Sequence, residues 1–284
     1  MLKKEYRHIV LEAFREDAVD EDITTNLIIP KDKSSQGNII FKEDGILCGI
    51  KVAKYVFRLL DRNIVFKEYF KDGEIVKKGD KVLFLKGKTR ALLTGERTAL
   101  NFLSYLSGIA TNTKSYVDAV KPFKSKILDT RKTTPGMRRL EKYAVKCGGG
   151  TNHRLNLIDF VLIKDNHREA LGDKVKCLSE VIKYFRTKTH KMVEIEVDNF
   201  TQLRQALRAD PDIIMLDNMN LKEIKKAIEI TQKAKGENRP ILEASGGITL
   251  KNIKKIASTG IDHISVGALT HTHKFIDVSM DFIR

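Results

Sequence analysis

From about Lys126 onward, short apolar, β-branched runs alternate with longer segments of helical period. The runs are KILDT (126–130), DFVLIK (159–164), MVEIEV (192–197), DIIMLD (212–217), PILEAS (240–245) and DHISVG (262–267). Being apolar on both faces, they predict parallel strands covered by helices, and six strand–helix units in succession predict a (β/α) barrel, open or incomplete. The first part of the chain has another texture. GNIIFKEDGILCGI (37–50), NIVFKEYF (63–70) and KVLFLKG (81–87) predict strands divided by turns, with helices near 2–15 and 51–60, an α+β layer. The turn-rich stretch DGEIVKKGDKVLFLKG (72–87) reads as a hairpin of structural role. Between the two parts, LLTGERTALNFLSYLSGIAT (92–111) sets Leu100, Leu103, Leu106 and Ala110 at helical spacing. Arg97 falls one turn into that helix, and the pattern alone makes it a solvated arginine.

The strand runs end in polar, chemically active residues: Asp129 to Lys132, Lys164 to His167, Glu196, Asp217-Asn218, Glu243 to Gly247, and Ser265 to Gly267. The strands of a parallel barrel open their carboxyl ends on one face, so residues scattered along the second half of the chain are expected to meet in one mouth.

Composition narrows what that mouth can hold. The 284 residues, 42% of them hydrophobic, suffice for one large domain or a barrel plus a smaller one. With 52 Lys+Arg against 37 Asp+Glu, the formal net charge is +15, which points to nucleic acid, a membrane surface or strongly anionic small molecules. The charge is spread along the chain, and no basic motif interleaved with aromatics favours nucleic acid. The cysteines Cys48, Cys147 and Cys177 form no CxxC pair, which argues against a zinc site or a disulfide framework. The amphipathic start MLKKEYRHIVLEAFRED has no signal-peptide core, and no apolar stretch approaches the roughly 18 residues of a membrane span, so a cytoplasmic protein is expected.

Two late turns, in LEASGGI (242–248) and HISVGAL (263–269), follow successive strands. Barrels bind phosphate monoesters in this way, on backbone N–H groups where glycine lets the oxygens approach. The stretch DTRKTTPGMRRLEKYAVKCGGGTNHR (129–154) places Arg131 and Lys132 at a strand end and a helix at about 136–147. Gly148–Gly150 then end that helix, and His153 and Arg154 precede the next strand. With Lys164, five potentially cationic groups can converge, an arrangement that calls for an anion; arginine supplies the bidentate fork that suits a carboxylate. Glu196 and Asp217 fit either of two roles. They can pair with Lys164 or Arg131 inside the barrel, or they can serve Mg²⁺ carried by a pyrophosphate, directly or through water, together with ribose hydroxyls. A phosphate site, a divalent metal and a carboxylate clamp together suit a phosphorylated sugar diphosphate reacting with an acid.

At this point the sequence resembles the quinolinate phosphoribosyltransferases, also called nicotinate-nucleotide pyrophosphorylases (carboxylating). The resemblance rests on EDITT (21–25), GERTALNFLSYLSGIAT (95–111), DTRKTTPGMRRLEKYAVKCGGGTNHRLNL (129–157), LIKDNH (162–167), EIEVDN (194–199), IMLDNM (214–219) and LEASGGI (242–248), in that order along nearly the whole chain. It implies an α/β fold, in which an N-terminal α+β sandwich over 1–110, completed by 271–284, packs on an open barrel of six to seven strands over 111–270. It implies an enzyme that turns quinolinate and phosphoribosyl pyrophosphate, with Mg²⁺, into nicotinate mononucleotide, pyrophosphate and CO₂ in NAD synthesis. On this resemblance Arg131, His153, Arg154 and Lys164 hold the quinolinate dianion, and Lys132 faces the sugar diphosphate. Glu196 and Asp217 serve ribose and metal; Ser245, Gly246, Gly247 and Gly267 take the 5′-phosphate. The family is homodimeric, and Arg97 would then reach into the partner subunit's site, reversing its solvated reading. The segment Thr270–His273 lies outside the matched motifs and is expected to hold no metal. Paralogous phosphoribosyltransferase-like proteins of molybdenum transport, acting on another anion, are the alternative the motifs allow.

Overall fold

The computed structural model describes residues 6–171 and 178–283, so Cys177 and the start of the helix expected from residue 2 lie outside the described residues. Along the chain run α1 (Arg7–Glu16), α2 (Ile23–Ile28), β1 (Ser34–Phe41), β2 (Gly45–Ile46), α3 (Ile50–Leu60), β3 (Val65–Glu68), β4 (Ile75–Val76), β5 (Lys81–Lys88) and α4 (Thr89–Val120). They are followed by β6 (Lys126–Leu128), α5 (Arg138–Cys147), β7 (Val161–Ile163), α6 (Asp165–Leu171), α7 (Leu178–Lys188), β8 (Val193–Val197), α8 (Phe200–Leu207) and β9 (Ile213–Asp217). The chain ends with α9 (Leu221–Lys235), β10 (Ile241–Ser245), α10 (Ile253–Ala257), β11 (His263–Ser265), α11 (Ala268–His271) and β12 (Val278–Phe282). These elements form two compact units, one of residues 1–114, 133–149 and 269–284, the other of 115–132 and 150–268.

The first unit is built on a four-stranded antiparallel sheet in the order β12-β1-β5-β3. Its core includes Phe41, Leu83, Leu85, Phe57, Leu103 and Leu106. The helix α3 turns Val52, Ala53, Tyr55, Val56 and Phe57 inward, the close apolar spacing of a one-sided helix. The stretch 72–87 departs from the expected hairpin: β4 pairs with β2, while β5 lies between β1 and β3. The loop between β4 and β5 therefore joins two different sheets. The central helix α4 is also longer than its apolar stretch, spanning 32 residues.

The second unit carries six parallel strands in the order β6-β11-β10-β9-β8-β7. This is the cyclic order of a barrel, broken between β6 and β7, which share no ladder among the described residues. The barrel is open, as expected, with six strands. Alternation along the strands divides two faces. Ile195, Val197, Ile214, Leu216, Leu242 and Ala244 are buried on one of them. Glu194 and Glu196, Met215 and Asp217, Glu243 and Ser245, and His263 and Ser265 fall on the other. Strands β8 and β9 hand over quickly to their helices. The Asn199 side chain caps α8 by accepting from the Gln202 amide, and Asn220 and Glu223 close a capping box at the start of α9.

Candidate active site

The site of the second unit begins at β6. Thr151 forms a parallel bridge with Leu128, its amide donating to Ile127 O at 2.8 Å while the Asp129 amide donates to Thr151 O at 3.1 Å. The short segment after the glycines thus extends the edge strand. Asp129, fully buried, then accepts from the His153 amide at 2.9 Å and from Asn152 Nδ2 at 2.6 Å. Residues 151–154 are held by the strand end that also carries Arg131 and Lys132, which explains how residues about twenty positions apart reach one place.

Arg154 is buried, with its Nη1 donating to Phe160 O at 3.5 Å and its guanidinium over the Phe160 ring, 6.0 Å from the centroid. Burial first, and the neighbouring positive charge of Arg131 second, push the Arg154 pKa down. A buried guanidinium with a second, half-buried one near enough to repel it makes a receptor for an anion that can fork onto both. His153 packs against the same phenyl ring, with ring centroids 5.1 Å apart.

Beneath His153 lies a feature the sequence reading did not assign. Its Nε2 is 3.0 Å from Glu194 Oε2 and 3.6 Å from Glu243 Oε1, and both glutamates are completely buried. Ser265 Oγ donates to Glu243 at 2.5 Å, and His263 Nδ1 is 3.9 Å from its other oxygen. Burial is the main reason that both carboxyls are pushed up, each to about 8; for Glu243 the proximity of Glu194 is the second cause. Carboxyls pushed up this far favour the protonated form near neutral pH, and they face the edge of the imidazole that points into the barrel. The i, i+2 spacing of Glu194 and Glu196 in an otherwise apolar strand was the available signal, since two acids on one face of a buried strand need partners there.

Further along the sheet stands a second acidic group. Ligand oxygens of Glu196, Asp198 and Asp217 lie within 4.8 Å of one another. Lys164 Nζ is 3.8 Å from Glu196 Oε2, so the ion pair anticipated for that lysine is present. Glu196 is raised by burial and then by Asp217, and Asp217 by burial and then by Asp198. Three hard oxygen donors that repel one another fit a divalent cation, which would relieve the repulsion. Asp198 was not among the residues expected to act here.

The late turn after β10 is shaped for close approach. Gly246 and Gly247 have φ values of +94° and +60°, and a Cβ on Gly246 would lie 2.0 Å from Asn218 Oδ1. A side chain at 246 would therefore clash with Asn218 besides being strained. Asn218 donates its amide to Ser245 O at 2.9 Å, and Asn252 Nδ2 bonds Gly247 O at 2.9 Å, so the turn is braced from both sides. The Ser245 side chain hydrogen-bonds Asp217, adding the smallest of the influences that oppose the rise of that carboxyl. Gly267 forms the corresponding turn between β11 and α11. Arg97 is exposed on α4 in the first unit. His273, also in the first unit, stands edge-on to Tyr105 at 4.9 Å and stacks on Phe275 at 6.0 Å.

Comparison with known proteins places this geometry. The model of the "Quinolinate phosphoribosyl transferase, N-terminal domain" matches residues 22–107 and that of the C-terminal domain matches residues 109–281. The probable nicotinate-nucleotide pyrophosphorylase [carboxylating] of Bacillus subtilis is 42% identical over 282 residues, covering 99% of this chain and 93% of the relative. That of Methanocaldococcus jannaschii is 41% identical over 290 residues, covering 100% and 99%. Among solved structures, the nicotinate-nucleotide pyrophosphorylase from Francisella tularensis superimposes with a TM-score of 0.91 at 39% identity, covering 100% of this chain and 98% of that one. Matched by both domain models and by relatives aligned almost end to end, the chain belongs to the quinolinate phosphoribosyltransferase family.

Proposed function

We propose that the chain transfers the phosphoribosyl group of phosphoribosyl pyrophosphate to the ring nitrogen of quinolinate, with decarboxylation, giving nicotinate mononucleotide, pyrophosphate and CO₂ in NAD biosynthesis. The observation that carries this reading is the pairing of buried Arg154 with Arg131 at the end of a sheet that also holds the carboxylates of Glu196, Asp198 and Asp217. One half of such a site suits a dianionic acid and the other a metal-borne diphosphate.

Arg131, Arg154, His153 and Lys164 hold both quinolinate carboxylates ionised and turn the ring nitrogen toward C1 of the ribose. That nitrogen forms the new bond to C1 while the bond to pyrophosphate breaks. Glu196 and Asp217 face the ribose and stabilise the positive charge that develops on it. Lys132 faces the departing diphosphate, and Ser245, Gly246, Gly247 and Gly267 take the 5′-phosphate on their backbone N–H groups. With the nitrogen quaternary, the adjacent carboxylate leaves as CO₂, and the electron pair of the broken bond remains beside the positive nitrogen until a proton replaces it. Mg²⁺, held by Glu196, Asp198 and Asp217 directly or through water, supplies charge neutralisation for the diphosphate when bound.

The test is direct. Purified protein given quinolinate, phosphoribosyl pyrophosphate and Mg²⁺ is expected to form nicotinate mononucleotide and CO₂ in equal amounts, and chelation of the metal should stop both. Turnover of another pyridine acid without CO₂ release, in place of quinolinate, would instead support the paralogous reading.

The active unit is a cytoplasmic homodimer in which exposed Arg97 completes the partner subunit's quinolinate site. Arg97→Ala and Lys164→Ala proteins are each expected to be inactive. Mixed dimers formed from them should regain up to about one quarter of the wild-type rate, since half the mixed population pairs the two variants and each such dimer keeps one intact site. Absence of recovery after verified subunit exchange would remove Arg97 from the site.

A further inference from the structure

Cys48 and Cys147 stand about a hundred residues apart in sequence, yet three independent contacts bring them together in the first unit. The Cys48 amide donates to Ser107 Oγ at 2.9 Å, and that hydroxyl donates back to Cys48 O at 3.2 Å. Gly148, next to Cys147, presses on the same helix one turn further along, where a Cβ would lie 2.3 Å from Ala110 O. Gly73 bridges the pair from the other side: its amide donates to Leu47 O at 2.8 Å, and its own missing Cβ would sit 3.5 Å from Cys147 O. Asp72 strengthens this frame, accepting from the amides of Gly49 and Ile50 at 2.9 and 3.0 Å and from Tyr143 Oη at 2.8 Å. Tyr143 is one helical turn before Cys147 on α5, so its hydroxyl and the Cys147 thiol share a face.

We infer that Cys48 and Cys147 form an intramolecular disulfide when the protein meets a peroxide, Cys147 being the thiol oxidised first and Cys48 the resolving one. Both are free thiols in the structure, Cys48 buried and Cys147 partly exposed. Burial pushes the Cys48 thiol up, whereas a hydrogen bond from Cys48 is the first influence pulling Cys147 down, with a further contribution from Tyr143. The thiolate sulfur of Cys147 attacks one oxygen of the peroxide, the O–O bond breaks, and the departing hydroxide takes a proton to become water, leaving a sulfenic acid. The Cys48 sulfur then gives up its proton and attacks the Cys147 sulfur, displacing hydroxide as a second water. Two thiols and one hydrogen peroxide thus become one disulfide and two waters. The bond would close a long loop carrying β3, β4, β5 and the whole of α4, so it restrains much of the unfolded chain.

The full chain, reduced and then exposed to hydrogen peroxide, is alkylated under denaturing conditions and digested. The expected result is a linked peptide pair joining Cys48 to Cys147 in a monomer, lost on treatment with dithiothreitol, and a higher urea midpoint for the oxidised protein. Cys48→Ser protein should stop at a sulfenic acid on Cys147 that dimedone traps, and Cys48→Ala serves if serine perturbs folding. The inference is overturned if wild-type Cys48 remains alkylatable after Cys147 has been oxidised, or if Cys147 is linked only to Cys177 or to a second chain.

Discussion

Arg131→Ala is expected to weaken quinolinate binding by at least about a hundredfold in calorimetry while leaving the far-ultraviolet circular dichroism unchanged. Breaking a buried charge-assisted contact costs roughly 3–5 kcal/mol, and each 1.4 kcal/mol is a factor of ten in affinity. The fold should tolerate the change, because Arg131 stands in a loop beyond the end of β6 and its charge disfavours the buried charge of Arg154. Removing it relieves that repulsion in the free protein. Arg131→Lys should recover little of the affinity, since an ammonium cannot offer the planar fork that two carboxylate oxygens accept. Unchanged affinity in Arg131→Ala protein would take the residue out of the quinolinate clamp.

The barrel was legible because its strands are buried on the outer face and carry their chemistry at their ends. All six predicted runs became strands, shortened at one or both ends where pairing gives way to loops, as in KILDT, of which only Lys126–Leu128 is paired. The first unit was less legible, since its pairings join distant segments. That Gly37 lies opposite Leu85, and Ile46 opposite Ile75, depends on which sheet each short strand joins. Local turn chemistry in 72–87 suggested a hairpin that these pairings overrule. Within the site, cations and glycines announced themselves through type and position. Glu194 and Glu243 stood out as acids in apolar strands, but nothing local says whether such an acid meets solvent, a cation or another acid. Their meeting with His153 requires the curvature that brings β8, β10 and the segment after α5 around one interior. The same limitation hid the Cys48–Cys147 contact, whose members belong to a strand-end turn and a helix end with no shared periodicity.

The buried acids give the second large effect, and its sign is fixed by where the protons reside. A glutamate in the unfolded chain titrates near 4.3, whereas Glu243 in the folded protein is pushed up to about 8. Between those values the folded state binds more protons than the unfolded one, so stability falls as pH rises, with a limiting slope of about 1.4 kcal/mol per pH unit for each retained proton. Below pH 4 and above pH 9 this contribution no longer changes. His263 acts in the opposite direction. Burial lowers its pKa, so near pH 6 the unfolded state binds the extra proton and stability rises with pH. The wild-type curve sums these trends with that of Glu194, which is raised as far as Glu243, so the contribution of Glu243 is read by comparison with Glu243→Gln. The glutamine amide can still accept the Ser265 hydroxyl at Oε1, and it carries no proton to lose. Urea unfolding at pH 5, 6.5 and 8 is expected to show the variant near wild type, or slightly weaker, at pH 5 and at least about 1 kcal/mol more stable at pH 8. A difference that stays constant across the three pH values would mean that Glu243 is ionised in the folded barrel throughout. His153⁺ would then have to balance it, and the imidazole facing the quinolinate clamp would be a fixed cation, without the neutral state that a protonated acid beneath it allows.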